Sequence, residues 1–239
     1  ARAHYNLGLL LREGDKPEDA ADHFRQSLAI APDLVEARIN LGLILQDPVQ
    51  LAQAVDEAKK AVALKPLDPA ASNNLANALC ELGMVHKRQG RLPQAVETLL
   101  AAAELRPKDF ILLNNLANAL IESGRAPEAE HHLRRAVEQV PKLAESHFHL
   151  GNAIKAQERF EEAILSYEAA IKLRDGYTKA RINLSGVLHK LGRYGEALKI
   201  YDEAVRDDPT SAEAFSGRGV MLQALGRSDE ALESFQKAR

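Results

Sequence analysis

Phe110–Leu143 reads FILLNNLANALIESGRAPEAEHHLRRAVEQVPKL, and this stretch decides the fold. Leu113, Leu116, Ala117 and Leu120 recur at helical spacing, so its first half predicts an amphipathic helix. Gly124 then stands where a helix stops and Pro127 where a second one starts, the usual asymmetry of helix ends. Ala129 and Leu133 continue the apolar stripe until Pro141, where a missing N–H costs least. The unit is therefore helix A, a turn, helix B and a Pro-led connection.

The same marks return along the chain. Leu116-Ala117, Ala129, Leu133 and Pro141 correspond to Leu7-Gly8, Ala20, Phe24 and Pro32. They also correspond to Leu41-Gly42, Ala54, Ala58 and Pro66, and to Leu184-Ser185, Ala197, Tyr201 and Pro209. Pro107 falls at the same point, and Asp175-Gly176 replaces the proline once. Counting in 34s gives 1–34, 35–68, 76–109, 110–143, 144–177, 178–211 and a shorter 212–239, with one seven-residue break at 69–75. A period of this length means stacked units, none able to bury its apolar face alone. The expectation is a single array over 1–239, although the length would also allow one or two globular domains.

These marks resemble the tetratricopeptide repeat, whose signature is bulky at position 4, Leu at 7, small at 8, bulky at 11, Ala at 20, aromatic at 24, small at 27 and Pro at 32. The sixth unit matches with Leu184, Ser185, Leu188, Ala197, Tyr201, Ala204 and Pro209, but Arg181 stands at position 4. The resemblance covers essentially the whole chain and implies an all-α, right-handed superhelical solenoid of about seven units. At 100° per residue, positions 4, 7, 8 and 11 share about a 100° arc of helix A, which must face helix B and the next unit. Leu in place of Ala117 or Ala129 should overpack that arc, at roughly 1–3 kcal/mol.

The break has its own reading. Residues 72–79 (SNNLANAL) nearly duplicate 113–120 (LNNLANAL), and Leu75-Ala76 and Leu82-Gly83 both fit the helix A pattern. Seven residues are nearly two turns, so the insertion keeps the buried face in phase. Residues 69–89 read as one elongated helix A with Gly83 as a weak point; the alternative is a helix ending at Gly83 followed by a short turn through Met84–Gln89.

Positions 2, 5, 6, 9, 12 and 13 lie opposite the packed arc, on what is the concave surface of tetratricopeptide arrays. Position 6 carries Asn6, Asn40, Asn115 and Asn183, with Asn74 in the elongated stretch; Glu81, His149 and Gly217 interrupt the series. Position 9 adds Asn77, Asn118 and Asn152, and Asn114 fills position 5. Asn is a poor helix former, so its repetition needs a reason. Its amide both donates and accepts, and can grip a peptide backbone without reading side chains; the plainer reading is that each Asn bonds a neighbouring unit or water. Tyr5, Ile39, Phe148 and Ile182 would add apolar contact. A basic thread of Arg12, Lys87, Arg88, Lys155, His189 and Lys190 could steer an acidic or phosphorylated segment, although Glu13, Glu81, Glu122 and Glu145 share the groove.

The asparagine series is similar to the inner-surface ladder of O-linked N-acetylglucosamine transferases, which holds protein substrates by their backbone. That likeness implies a substrate-recognition region of a larger protein O-glycosyltransferase, with no transferase domain in these residues. The carboxylate clamp of chaperone-binding tetratricopeptide domains does not fit: no unit pairs Lys at 5 with Asn at 9, and position 6 is never Lys or Arg.

Chemistry is not expected. His131-His132 and the pair His147 and His149 do not share helix faces, and His147 at position 4 reads as packing, so no metal or cofactor is expected. Gly192–Gly195 and Gly217–Gly219 follow no strand and are not phosphate loops. No nucleophile is paired with a base, so this chain is read as no enzyme. A net charge of −3 argues against nucleic acid, and no apolar run is long enough to cross a bilayer. One cysteine, Cys80, suits a reducing compartment and favours the cytoplasm, the compartment itself remaining unknown. Beginning at Ala1 and stopping at Arg239 near a helix end, the chain reads as a piece of a longer protein. The expectation is a protein-interaction module binding an extended peptide or partner segment in its groove. A self-assembling scaffold, pairing through open terminal repeats, is the rival.

Overall fold

The computed structural model describes residues 1–45 and 50–238; the expected end at Arg239 and the second A–B turn lie outside them. Among the described residues there are fourteen α-helices and no strand. Helix A of successive units is α1 (Arg2–Glu13), α3 (Val35–Ile44), α5 (Pro69–Arg88), α7 (Phe110–Glu122), α9 (Ala144–Lys155), α11 (Thr178–Lys190) and α13 (Ala212–Ala224). Helix B is α2 (Pro17–Ile30), α4 (Leu51–Leu64), α6 (Leu92–Leu105), α8 (Ala126–Gln139), α10 (Phe160–Leu173), α12 (Tyr194–Asp207) and α14 (Ser228–Lys237). The fold is all-α, of the helical-repeat solenoid class.

The A–B turn repeats a local design. Gly90, Gly124, Gly192 and Gly226, all at position 15, take positive φ, as do Asp15 (56°) and Glu158 (59°) at the same place in their units. In the fourth unit Arg125 N–H bonds Leu120 O at 2.8 Å and Gly124 N–H bonds Ile121 O at 3.0 Å, satisfying carbonyls at the end of helix A. An arginine follows at the N-cap of helix B and grips the glutamate three residues on. Arg125–Glu128, Arg159–Glu162, Arg193–Glu196 and Arg227–Glu230 each close this two-bond pair. The glutamate also lies in the first turn, where negative charge suits the helix dipole.

Packing divides the chain into two compact units, Ala1–Ala119 and Leu120–Arg239. In the first, small residues at position 8 admit the side chain at position 24: a methyl added to Gly8 would stand 2.7 Å from the Phe24 ring, and one on Gly83 2.7 Å from Leu99. Helix α5 runs unbroken through Gly83, so the elongated alternative is the one observed. Ala71, in its first turn, is buried with Val35 and Ala61 of the preceding unit, and Gly83 packs on α6 of its own.

In the second unit Gly151 abuts Tyr167 and Gly219 abuts Phe235 in the same way. Ala144, Ala170, Tyr177 and Ala180 form a buried cluster with Phe148 and Ile171 against it. Arg181, at a position reserved for a bulky residue, keeps its stem buried and pairs with Glu203 (3.2 Å) and Asp207 (2.7 Å). Among the described residues no helix is long and apolar enough to cross a membrane.

Candidate partner-binding face

Several asparagines of the A helices are paired with other side chains. Arg12, at position 12 of the first unit, donates to Asn40 Oδ1 at position 6 of the second. Lys155, at position 12 of the fifth, donates to Asn183 Oδ1 at position 6 of the sixth, at 3.2 Å. Both pairs are separated by 28 residues, so the basic thread and the asparagine series meet across unit joints. Arginine and lysine have donors only, so each must face the carbonyl of the amide and turn its NH₂ away. The Asn40 NH₂ bonds Glu36 O at 2.7 Å, consistent with that orientation.

In the first compact half, Ala1–Ala119, Asn74 is buried, 3 % exposed, and its Nδ2 donates across the joint to Ile39 O at 3.2 Å. Asn77 is exposed and accepts at Oδ1 from Arg106, whose guanidinium also bonds Asn73 O (2.7 Å) and Asp109 (3.2 Å). Asn77, its carbonyl taken by Arg106, also lines an open cavity of about 470 Å³ on the A-helix side. Gly42, Leu45, Ala78 and Leu112 contribute apolar lining, with Ile111, 62 % exposed, among them. Cys80 also lines it; burial, then the nearby Glu81, pushes its thiol pKa up, which keeps it protonated and unreactive.

The other predicted positions scatter in environment. Asn6, Arg12 and Arg88 are exposed and Lys87, Asn115 and Asn118 half-buried; Asn115, near Cys80, opposes the rise of its thiol pKa. Asn114 is buried, its Oδ1 without a hydrogen-bond partner. Tyr5 leans on Phe24 with ring centres 5.9 Å apart, and Ile39 packs on the Val35 cluster.

In the second compact half, Leu120–Arg239, Asn183 Nδ2 donates to Asn152 Oδ1 at 2.8 Å, and the Tyr167 hydroxyl donates to the same oxygen at 2.8 Å. Burial pushes the Tyr167 pKa far up, which keeps that donor protonated. Phe148 stacks near Tyr177 (5.3 Å), Ile182 is buried, and Lys190 is exposed. The His147 ring nitrogen reaches Pro141 O at 2.9 Å. Among the described residues no three His, Cys, Asp or Glu side chains gather as a metal site requires.

Sequence reasoning passed over Arg106. Its signal was present: a cation at position 31 returns 29 residues to position 2 of its own helix A in Lys65–Glu36, Arg174–Glu145 and, counting from 76 so that Asn77 falls at position 2, Arg106–Asn77. Tyr167, a core aromatic by pattern, was also missed as a hydrogen-bond donor to the face.

Tetratricopeptide-repeat family models match residues 1–34, 80–144, 114–178, 155–220 and 212–237. Among solved structures, YrrB, titled a TPR protein with an unusual peptide-binding site, is 20 % identical with TM-score 0.63, covering 81 % of this chain and 96 % of that one. A tetratricopeptide repeat protein from Parabacteroides merdae is 14 % identical with TM-score 0.61, covering 99 % and 91 %. MamA is 24 % identical with TM-score 0.58, covering 66 % and 92 %. No curated protein matches the chain in sequence. With the repeat models covering most of its length and the helix pairs recurring as they require, the chain belongs to the tetratricopeptide repeat family.

Proposed function

We propose that the chain is a protein-interaction module holding an extended partner segment on the outward face of its A helices. Asparagine NH₂ groups donate to carbonyls of the segment, and apolar side chains take up its side chains. The observation that carries this reading is the open cavity beside α3, α5 and α7, where Asn77, its carbonyl already taken by Arg106, adjoins apolar lining and Ile111. A donor beside an apolar recess suits an extended chain, which offers a carbonyl and a side chain in alternation. The likeness to YrrB, whose title names a peptide-binding site in that protein, points the same way.

The test is selection of peptides from a displayed library, followed by calorimetry on the tightest one. Asn77→Ala with Ile111→Ala should weaken it about tenfold or more, since several small contacts act together. Asn74→Ala is the contrast, because its amide bonds Ile39 within the fold: it should lower the melting temperature. An unchanged affinity in the Asn77/Ile111 double variant would remove the cavity from the reading.

A further inference from the structure

Lys155 decides the polarity of a second patch, on α9 and α11. Its ammonium can only donate, so the Asn183 atom 3.2 Å away is the carbonyl oxygen. The Asn183 NH₂ then points at Asn152, whose facing atom must be oxygen, at 2.8 Å. The Tyr167 hydroxyl completes the chain by donating to that oxygen. The Asn152 carbonyl is thus filled by two donors and the Asn183 carbonyl holds one. Donors dominate what remains: two N–H of Lys155, two of Asn152 and one of Asn183, against one lone pair of Asn183 Oδ1.

The patch also carries a full charge with little to balance it. Lys155 is half-buried, its one hydrogen-bond acceptor is neutral, and no carboxylate lies within ion-pair distance of it among the described residues. Glu213 of α13 acts on it only through space. Loss of water pushes the Lys155 pKa down, with Glu213 opposing, which agrees with an under-compensated cation. Lys179 and Lys190, exposed at positions 2 and 13 of α11, add positive charge on the same side of that helix. A peptide carbonyl would satisfy the donors but not the charge; a carboxylate does both, through charge-assisted bonds.

We infer that Lys155, Asn152 and Asn183 form a subsite for an acidic side chain, aspartate or glutamate, of the segment bound on this face. The inference rests on the proposed function. Glu213 competes for the same ammonium and limits the preference.

The experiment measures fluorescence anisotropy of labelled peptides, acetylated and amidated, in which glycine alternates with glutamate, glutamine or lysine. The glutamate peptide should bind about tenfold more tightly than the glutamine peptide. Lys155→Gln, which keeps a donor for Asn183, should abolish that preference, and Glu213→Gln should enlarge it; circular dichroism verifies that both variants stay helical. A glutamate preference that survives Lys155→Gln, or no preference in the unmodified chain, overturns the acidic subsite and leaves segment binding standing. A glutamine peptide with a free carboxyl terminus that gains the same Lys155-dependent advantage also overturns it, by moving the site to a chain end. Failure of all the peptides to bind saturably also overturns the subsite, while the library selection decides the extended-segment reading.

Discussion

At position 15, six described units place a residue at positive φ, yet only four of them use glycine. Glu158 has a Cβ that crowds its own backbone there, at a cost of roughly 1 kcal/mol. Glu158→Gly should therefore stabilise the chain by up to about 1 kcal/mol in urea unfolding, and Gly192→Ala should destabilise it by a similar amount. An unchanged midpoint for Glu158→Gly would show the strain is relieved elsewhere. A second residue-scale effect concerns Tyr167, whose hydroxyl reaches Asn152 from a buried ring. Tyr167→Phe keeps the packing and removes that bond, so a loss of about 1 kcal/mol is expected. A loss near zero would mean Asn183 alone satisfies the Asn152 carbonyl. The sequence marked Tyr167 as an aromatic for packing; that its hydroxyl serves the opposite face of α9 depends on how two helices meet.

At the scale of the element, glycines inside helices have opposite roles. Gly83 lies in the middle of α5, where alanine would gain about 1 kcal/mol in helix propensity. The added methyl would meet Leu99 at 2.7 Å, and Leu99 is fully buried, so overpacking of roughly 1–3 kcal/mol wins. Gly186 in α11 has nothing within 4 Å of an added methyl, so only the propensity gain remains. Gly83→Ala should destabilise and Gly186→Ala should stabilise by about 0.5–1 kcal/mol, both read from urea midpoints; the same sign for both would refute the packing argument. The helix B entries carry a pH signature. Hydrogen bonds from the arginines hold Glu128, Glu162, Glu196 and Glu230 below their ordinary value of 4.5. A depressed carboxylate pKa contributes stability above its unfolded value and loses it as pH falls through the folded one. The melting temperature should accordingly drop below pH 4.5, and drop less steeply when all four are replaced by glutamine. Equal slopes would show that the pairs contribute nothing measurable, as exposed pairs often do.

For the molecule as a whole, stability in a repeat array is a sum over neighbours, so damage stays local. Gly83→Ala should raise amide hydrogen exchange in α4, α5 and α6 and leave α10 to α12 unchanged. A uniform rise would mean the chain opens as one cooperative body. What the sequence by itself determined is the alternation of A and B helices, their phase and the turns between them. These follow from helical periodicity and from glycine and proline preferences, which act over a few residues. That α5 runs unbroken through Gly83 was decided by the structure. Which atoms of the asparagine series remain for a partner was decided only by tertiary structure. Asn40 and Asn183 are oriented by cations 28 residues away, and Asn74 is withdrawn by a carbonyl 35 residues away. An amide carries a donor and an acceptor at nearly the same place, and only the neighbour brought against it by packing determines which one is used and which is left facing out.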